Sequence, residues 1–335
     1  MEEQKKPDVF KNNLNSDANY DYGIDNAVNE EHRKALEEMR ERTQKQLEER
    51  NAKYGNKDTA PSSNEPMVSE ESQDTQSNIV TLNKTRPSNE VEKDYNAPFE
   101  MVKLPSNGKL YGIDNGMLKM AYMTTKDEDI LTSPGMLESG EFLSYLFNRK
   151  ILDNRISYED LCVGDRNALL IWLRGTGYGH DYLAYFIDPD TGEQFEHTVD
   201  LASLKIEYLN IEPDENGVFT FKSKKGRIFK YRLLTVKDVD ELAEESEENK
   251  KKGIMIDKAV TSQLKRQIVS IDGVTDKRQL SDMIDTMPMF ESREFRKFYD
   301  DNNCDVDLSI EVPRPGGGSL ATFLPLGPTF FWAEL

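Results

Sequence analysis

The residues of this chain that could do chemistry are few and widely spaced. Its histidines are His32, His180 and His197, and its cysteines are Cys162 and Cys304. His180 precedes Asp181, which could orient an imidazole as a base, but no nucleophile in a recognisable context such as G-x-S-x-G accompanies the pair. A surface or hydrogen-bonded histidine is the plainer account. Gly108-Lys109 has neither the upstream glycine nor the following Ser or Thr with which a P-loop cradles phosphate and holds magnesium. The run Gly175-Thr176-Gly177-Tyr178-Gly179 follows a helical pattern and precedes a strand, the reverse of a dinucleotide fingerprint, and reads as a helix stop. Asp188, Asp190 and Glu196 have the look of calcium ligands but lack the alternating spacing that closes on a distant bidentate Glu, so turn chemistry accounts for them.

Cys162 and Cys304 show no C-x-x-C spacing and no neighbouring histidine cluster. Both are expected to be reduced thiols, with Cys162 buried and no metal site built from either. None of these patterns implies a catalytic residue, a cofactor or a metal. Lys250-Lys251-Lys252 follows Glu244, Glu245, Glu247 and Glu248, which suits a helix dipole without any ligand. Phe330-Phe331-Trp332 is costly to expose, so these aromatics either pack back over the domain or anchor a partner subunit.

The composition narrows the function classes further. Of 335 residues, 36% are hydrophobic and 31% charged, and the mean hydropathy is -0.73, so part of the chain must remain solvated. A net charge of -19 and a pI near 4.7 repel phosphate backbones and anionic headgroups, so neither nucleic acid nor a membrane is expected as a partner. Apolar runs such as 168–173 fall far short of the roughly 20 residues that span a bilayer. Residues 1–7 carry charge with no apolar stretch behind them, so no secretory leader is expected and synthesis in a cytoplasm is.

Residues 1–97 are dominated by Glu, Asp, Asn, Ser, Gln and Lys, a composition that cannot offset about 1 to 2 kcal/mol of backbone entropy per residue. An acidic, largely disordered arm is expected there, with one helix near 26–54 whose thin apolar stripe includes Met39 and Leu47. That helix is either solvated or folds onto a partner or the domain, and Met39 and Leu47 are its candidate contacts. From 98 onward the patterns of strand and helix begin. Strands are expected over 99–104 and 118–122, and helical period after Thr124, at Ile130, Leu131, Met136, Leu137, Phe142, Leu143, Leu146 and Phe147, with Ser139 as the cap of the second helix there. A further helix from about 165 stops at 175–177. Strands at 182–186 and 195–199 flank Asp188-Pro189-Asp190-Thr191-Gly192, a hairpin signature. Two more run over 218–221 and 227–234. Helices follow over 237–251, 257–271 and 276–287, and a short one capped by Ser292. The last strands, 306–312 and 319–324, flank Pro313-Arg314-Pro315-Gly316-Gly317-Gly318. The expected fold class is α+β: small antiparallel sheets and hairpins packed with several helices, in one domain over 98–335.

Five strings along that domain carry a resemblance. They are Leu104-Pro105-Ser106-Asn107-Gly108-Lys109-Leu110-Tyr111, Tyr122-Met123-Thr124-Thr125-Lys126-Asp127-Glu128-Asp129-Ile130-Leu131-Thr132-Ser133, Val163-Gly164-Asp165-Arg166-Asn167, Gly175-Thr176-Gly177-Tyr178-Gly179 and Leu324-Pro325-Leu326-Gly327-Pro328-Thr329-Phe330-Phe331-Trp332. In this order they resemble the T4-type bacteriophage baseplate protein family, associated with the hub of contractile tails. Many relatives carry Cys-Pro-x-Cys-Gly knuckles at the two hairpins, where paired thiolates would hold a structural zinc. Here Asp188, Thr191, Arg314 and Gly317 stand at the four cysteine positions, while Pro189, Gly192, Pro315 and Gly318 keep the turns. Zinc is therefore not expected at the knuckles, and an Asp188–Arg314 ion pair is expected to bridge the hairpins instead. The resemblance implies a structural virion protein of the tail baseplate, made in the host cytoplasm and acting through contacts with other tail and baseplate proteins. A transient assembly chaperone is the alternative among binding proteins, and an enzyme using His180 is the alternative of another class.

Overall fold

The computed structural model describes residues 91–331 except 114, 134, 137–139, 255, 257 and 327. The expected helix near 26–54 with Met39 and Leu47, the cap Ser139 and Trp332 lie outside the described residues. The chain divides between Asn89 and Glu90, upstream of the boundary expected at 97. The reason lies in side chains that look solvated by composition. Lys93 Nζ donates to the carbonyls of Ile151 (2.6 Å) and Asp153 (3.2 Å), and Asp94 accepts from Arg149 Nη2 (2.7 Å) and Lys150 Nζ (2.6 Å).

The fold is α+β, with seven helices and five small antiparallel sheets among the described residues. The first hairpin pairs β1 (Phe99–Lys103) with β2 (Met117–Ala121). Helix α1 (Thr125–Leu131) begins in a capping box between Thr124 and Asp127, which satisfies two backbone donors that a helix start leaves open. After α2 (Phe142–Lys150) comes α3 (Val163–Tyr178), which buries Leu169, Leu170 and Leu173. The expected stop at 175–177 is passed, and Gly179 ends the helix. Gly175 and Gly177 instead admit neighbours: a Cβ on Gly175 would stand 2.7 Å from the His180 ring, and one on Gly177 would strike the Met123 methyl.

Strands β3 (Asp181–Ile187) and β4 (Gln194–Asp200) form the second hairpin, and β5 (Lys205–Glu207) follows. A three-stranded sheet then joins β6 (Phe219–Lys222), β7 (Ile228–Tyr231) and β8 (Ile268–Ile271). Between β7 and β8 lie α4 (Val236–Lys251) and α5 (Ala259–Gln267). The helix expected over 257–271 therefore ends at Gln267, because its last residues pair with β7, Phe229 opposite Ile271 and Tyr231 opposite Ile268. A strand partner distant in sequence overrides the local helical period.

Helices α6 (Lys277–Asp285) and α7 (Met289–Asp301) complete the helical set. Ser292 does not cap α7 but lies inside it; Pro288, with φ fixed near the helical value and no N–H to satisfy, occupies the start. The strand expected over 306–312 is split at Leu308. β9 (Asp305–Asp307) pairs with β5, and β10 (Ser309–Pro313) pairs with β11 (Ser319–Phe323) as the third hairpin.

Two apolar clusters form the interior. One gathers the three hairpins around α2 and α3; the other packs α5, α6 and α7 on the β6–β7–β8 sheet through Phe219, Phe221, Phe229, Tyr231 and Phe295. The terminal aromatics take the first of their two options. Phe330 is 0% and Phe331 2% exposed, with the Phe330 ring 4.9 Å from that of Tyr182 and its carbonyl accepting from Arg174 Nε. As candidate partner contacts, Phe330 and Phe331 are corrected: burying each ring contributes about 2 to 3 kcal/mol to the domain, which an exposed anchor would forgo.

Candidate functional site

Two side-chain clusters stand out, one at the hairpin tips and one at the seam of the two cores. At the tips, Asp188 N donates to Glu193 O (2.9 Å), Gly192 N to Asp188 O (2.7 Å) and Asp190 N to Asp188 Oδ1 (2.9 Å). The opposite tip closes through Arg314 N on Gly318 O (3.0 Å) and Gly317 N on Arg314 O (3.1 Å). Gly192 and Gly318 sit at φ 73° and 81°, which the two turns require of them. Arg314 then spans the gap. Its Nη1 lies 3.4 Å from Asp188 Oδ1 and also pairs with Asp190, whose hydrogen bond and charge raise the guanidinium's pKa. The expected Asp188–Arg314 pair is thus present, with Asp190 as a second anion. Thr191 is exposed and its Oγ1 accepts from Glu193 N (3.2 Å), while Gly317 offers no side chain.

The second cluster is buried. Cys162 caps the start of α3, Asp165 lies in its first turn and Cys304 precedes β9. One potential ligand atom from each lies within 4.8 Å of the others, and the two sulfurs are 3.9 Å apart. Such close approach depends on Gly164, where a Cβ would run into the Cys304 carbonyl and stand 2.8 Å from Asp305 Cα. Ser106 N donates to Asp165 Oδ1 (2.8 Å), Cys162 N donates to the Tyr111 hydroxyl (2.8 Å) and Asn167 Nδ2 to Asp305 Oδ1 (2.9 Å). Burial pushes the Cys162 thiol and the Tyr111 hydroxyl well above their ordinary pKa values, and raises that of Asp165. The two thiols form no disulfide and lie close enough for an S–H···S contact. The expectation that no metal site can be built from them is corrected, since folding brings together residues 142 apart in sequence and adds a carboxylate.

His180 and Asp181 are both exposed, and no hydrogen bond joins their side chains. His197 lines an open groove between β4 and β10 with Asp200, Lys205, Asp307 and Glu311, of mixed charge. Asp188 and Asp190 sit in the first tip, with Glu196 out along β4 opposite Tyr185. The seam cluster was missed from sequence because its members are single residues in three segments. A signal did exist: Ser106, Tyr111, Gly164 and Asp165 all fall within the strings that carry the resemblance. No helix among the described residues is long and apolar enough to cross a membrane. No family model, no curated protein and no solved structure matches the chain.

Proposed function

We propose that this chain is a structural component of a contractile phage tail baseplate, in the hub region, working through contacts with other tail and baseplate proteins. What carries the reading is the ordered set of five strings between 104 and 332. Their residues make the joints of the fold: Ser106 with Asp165, Tyr111 with Cys162, Asp127 with Lys150, Gly177 against Met123, and Phe330 with Arg174. A likeness concentrated on joints is a likeness of scaffold, not of a reaction centre. The exposed apolar side chains Tyr185 and Ile187 on β3, Phe323 on β11 and Met289 on α7, between 50% and 74% exposed, suit a protein that is covered in an assembly.

The test is mass spectrometry of purified virions and of tail precursors from infected cells. The chain should be found in mature tails at the stoichiometry of other baseplate proteins. Its presence on precursors but not in virions would make it a transient assembly chaperone, and its absence from both would remove the reading altogether.

A further inference from the structure

Among the described residues five carboxylates are buried: Asp127, Asp165, Asp188, Asp238 and Glu291. Four of them face a cation, respectively Lys150, Arg314, Arg232 and Arg227 for Asp127, Asp188, Asp238 and Glu291. Asp165 faces none. Its Oδ1 accepts from Ser106 N, while Oδ2 is buried with no donor in good hydrogen-bond geometry and has the Tyr111 hydroxyl and the Cys162 thiol as its polar neighbours. Buried charges in proteins are paired or coordinate metal, because an isolated one costs too much to desolvate. What stands beside this carboxylate is a pair of thiols, Cys162 at 2% and Cys304 at 0% exposure.

The spacing is informative. At 3.9 Å the sulfurs are far beyond the ~2.05 Å of a disulfide. Two thiolates on one tetrahedral zinc, each at about 2.3 Å, stand about 3.8 Å apart. Two sulfurs and a carboxylate oxygen select a thiophilic divalent cation over the hard, oxygen-bound ones. We propose that Cys162, Asp165 and Cys304 form a structural zinc site at the seam of the two cores. The cation would tie the start of α3 to the segment entering β9, and through Ser106 and Tyr111 to the loop after β1. Both cysteines belong to the cluster around the β6–β7–β8 sheet, while Leu161 beside them belongs to the other. A bond there would add to the backbone hydrogen bonds that already join the two clusters, such as Val236 N to Leu161 O (2.9 Å) and Val163 N to Leu234 O (3.2 Å). Each thiol gives up its proton as the cation enters, and the enclosed position means that metal is taken up during folding.

The experiment uses the full chain, purified under reducing conditions without chelator, and reads zinc content by elemental mass spectrometry and the zinc environment by X-ray absorption. Stoichiometric zinc with a two-sulfur shell is expected. Since the knuckle positions hold no sulfur, zinc bound there would show an oxygen shell alone and would overturn the assignment. Unfolding and refolding with cobalt should yield a thiolate-to-cobalt charge-transfer band, lost in Cys304→Ser and weakened in Asp165→Asn. Folded wild-type protein, its thiols shown to be reduced, that takes up neither metal on refolding would also overturn it, as would thiols found joined in a disulfide.

Discussion

Two of the places where charged side chains join distant segments of the domain are built oppositely. At the base of α2, Lys150 Nζ is fully buried, pairs with Asp127 and Asp94 and donates to Tyr122 O (3.0 Å), with Arg149 alongside. At the hairpin tips, Arg314 pairs with Asp188 and with Asp190, whose side chain is 73% exposed. The chemistry is the same and the dielectric differs. Removing one partner inside leaves charge where water cannot reach it, whereas at the tips the buried Asp188 keeps its hydrogen bond from Asp190 N, and water and salt reach Arg314 and Asp190. The inner joint is thus part of the fold, and the outer one only aligns two turns.

Four substitutions would break or sharpen that contrast. Lys150→Met leaves Asp127 and Asp94 with Arg149 as the one cation between them and should cost about 3 to 5 kcal/mol in urea unfolding. A loss below about 1 kcal/mol would show that water reaches the joint. Gly164→Ala should cost about 1 to 3 kcal/mol or more, because the obstruction is the backbone at Cys304 and Asp305, which cannot step aside as a side chain would. If the midpoint held, the seam would be looser than its geometry.

Asp238 supplies the pH test. Burial pushes its pKa up, but the hydrogen bonds from Arg232 (2.6 Å to each oxygen) and from Thr235 outweigh it, so the net shift is downward. A carboxylate with a depressed folded pKa adds stability that is present above its unfolded value, about 4, and is lost as pH falls through the folded one. Asp238→Asn should therefore cost about 2 kcal/mol at neutral pH, and the gap to wild type should close as the solution is acidified below about pH 4. A gap independent of pH would assign the loss to the helix cap alone. The smallest effect is expected at the tips. Arg314→Gln should leave the unfolding midpoint unchanged while amide exchange at Gly192 and Gly317 quickens. A shifted midpoint would mean that the tips hold the core together.

Much of the domain was legible along the chain because its hairpins and helices announce themselves locally. Alternation placed β1, β2, β3 and β4, and Pro-Gly turns placed both tips. The ion pair between the tips was expected only from the resemblance. Where the reading failed, a distant partner had decided. β8 has a helical neighbour and a helical period, yet its residues complete a sheet with β7. Lys93, Asp94 and Tyr95 have the composition of the arm, yet Tyr95 Oη donates to Asn154 and Asp94 holds two cations of α2.

Local pattern by itself determined the α+β class and the hairpins, because turn chemistry and side-chain period act over a few residues. Only the tertiary structure decided which carboxylates share a cation, that Phe330 and Phe331 belong inside, and that two lone cysteines meet beside a buried Asp165 that no cation faces. Those outcomes depend on desolvation, and whether a group loses its water is set by everything that packs around it.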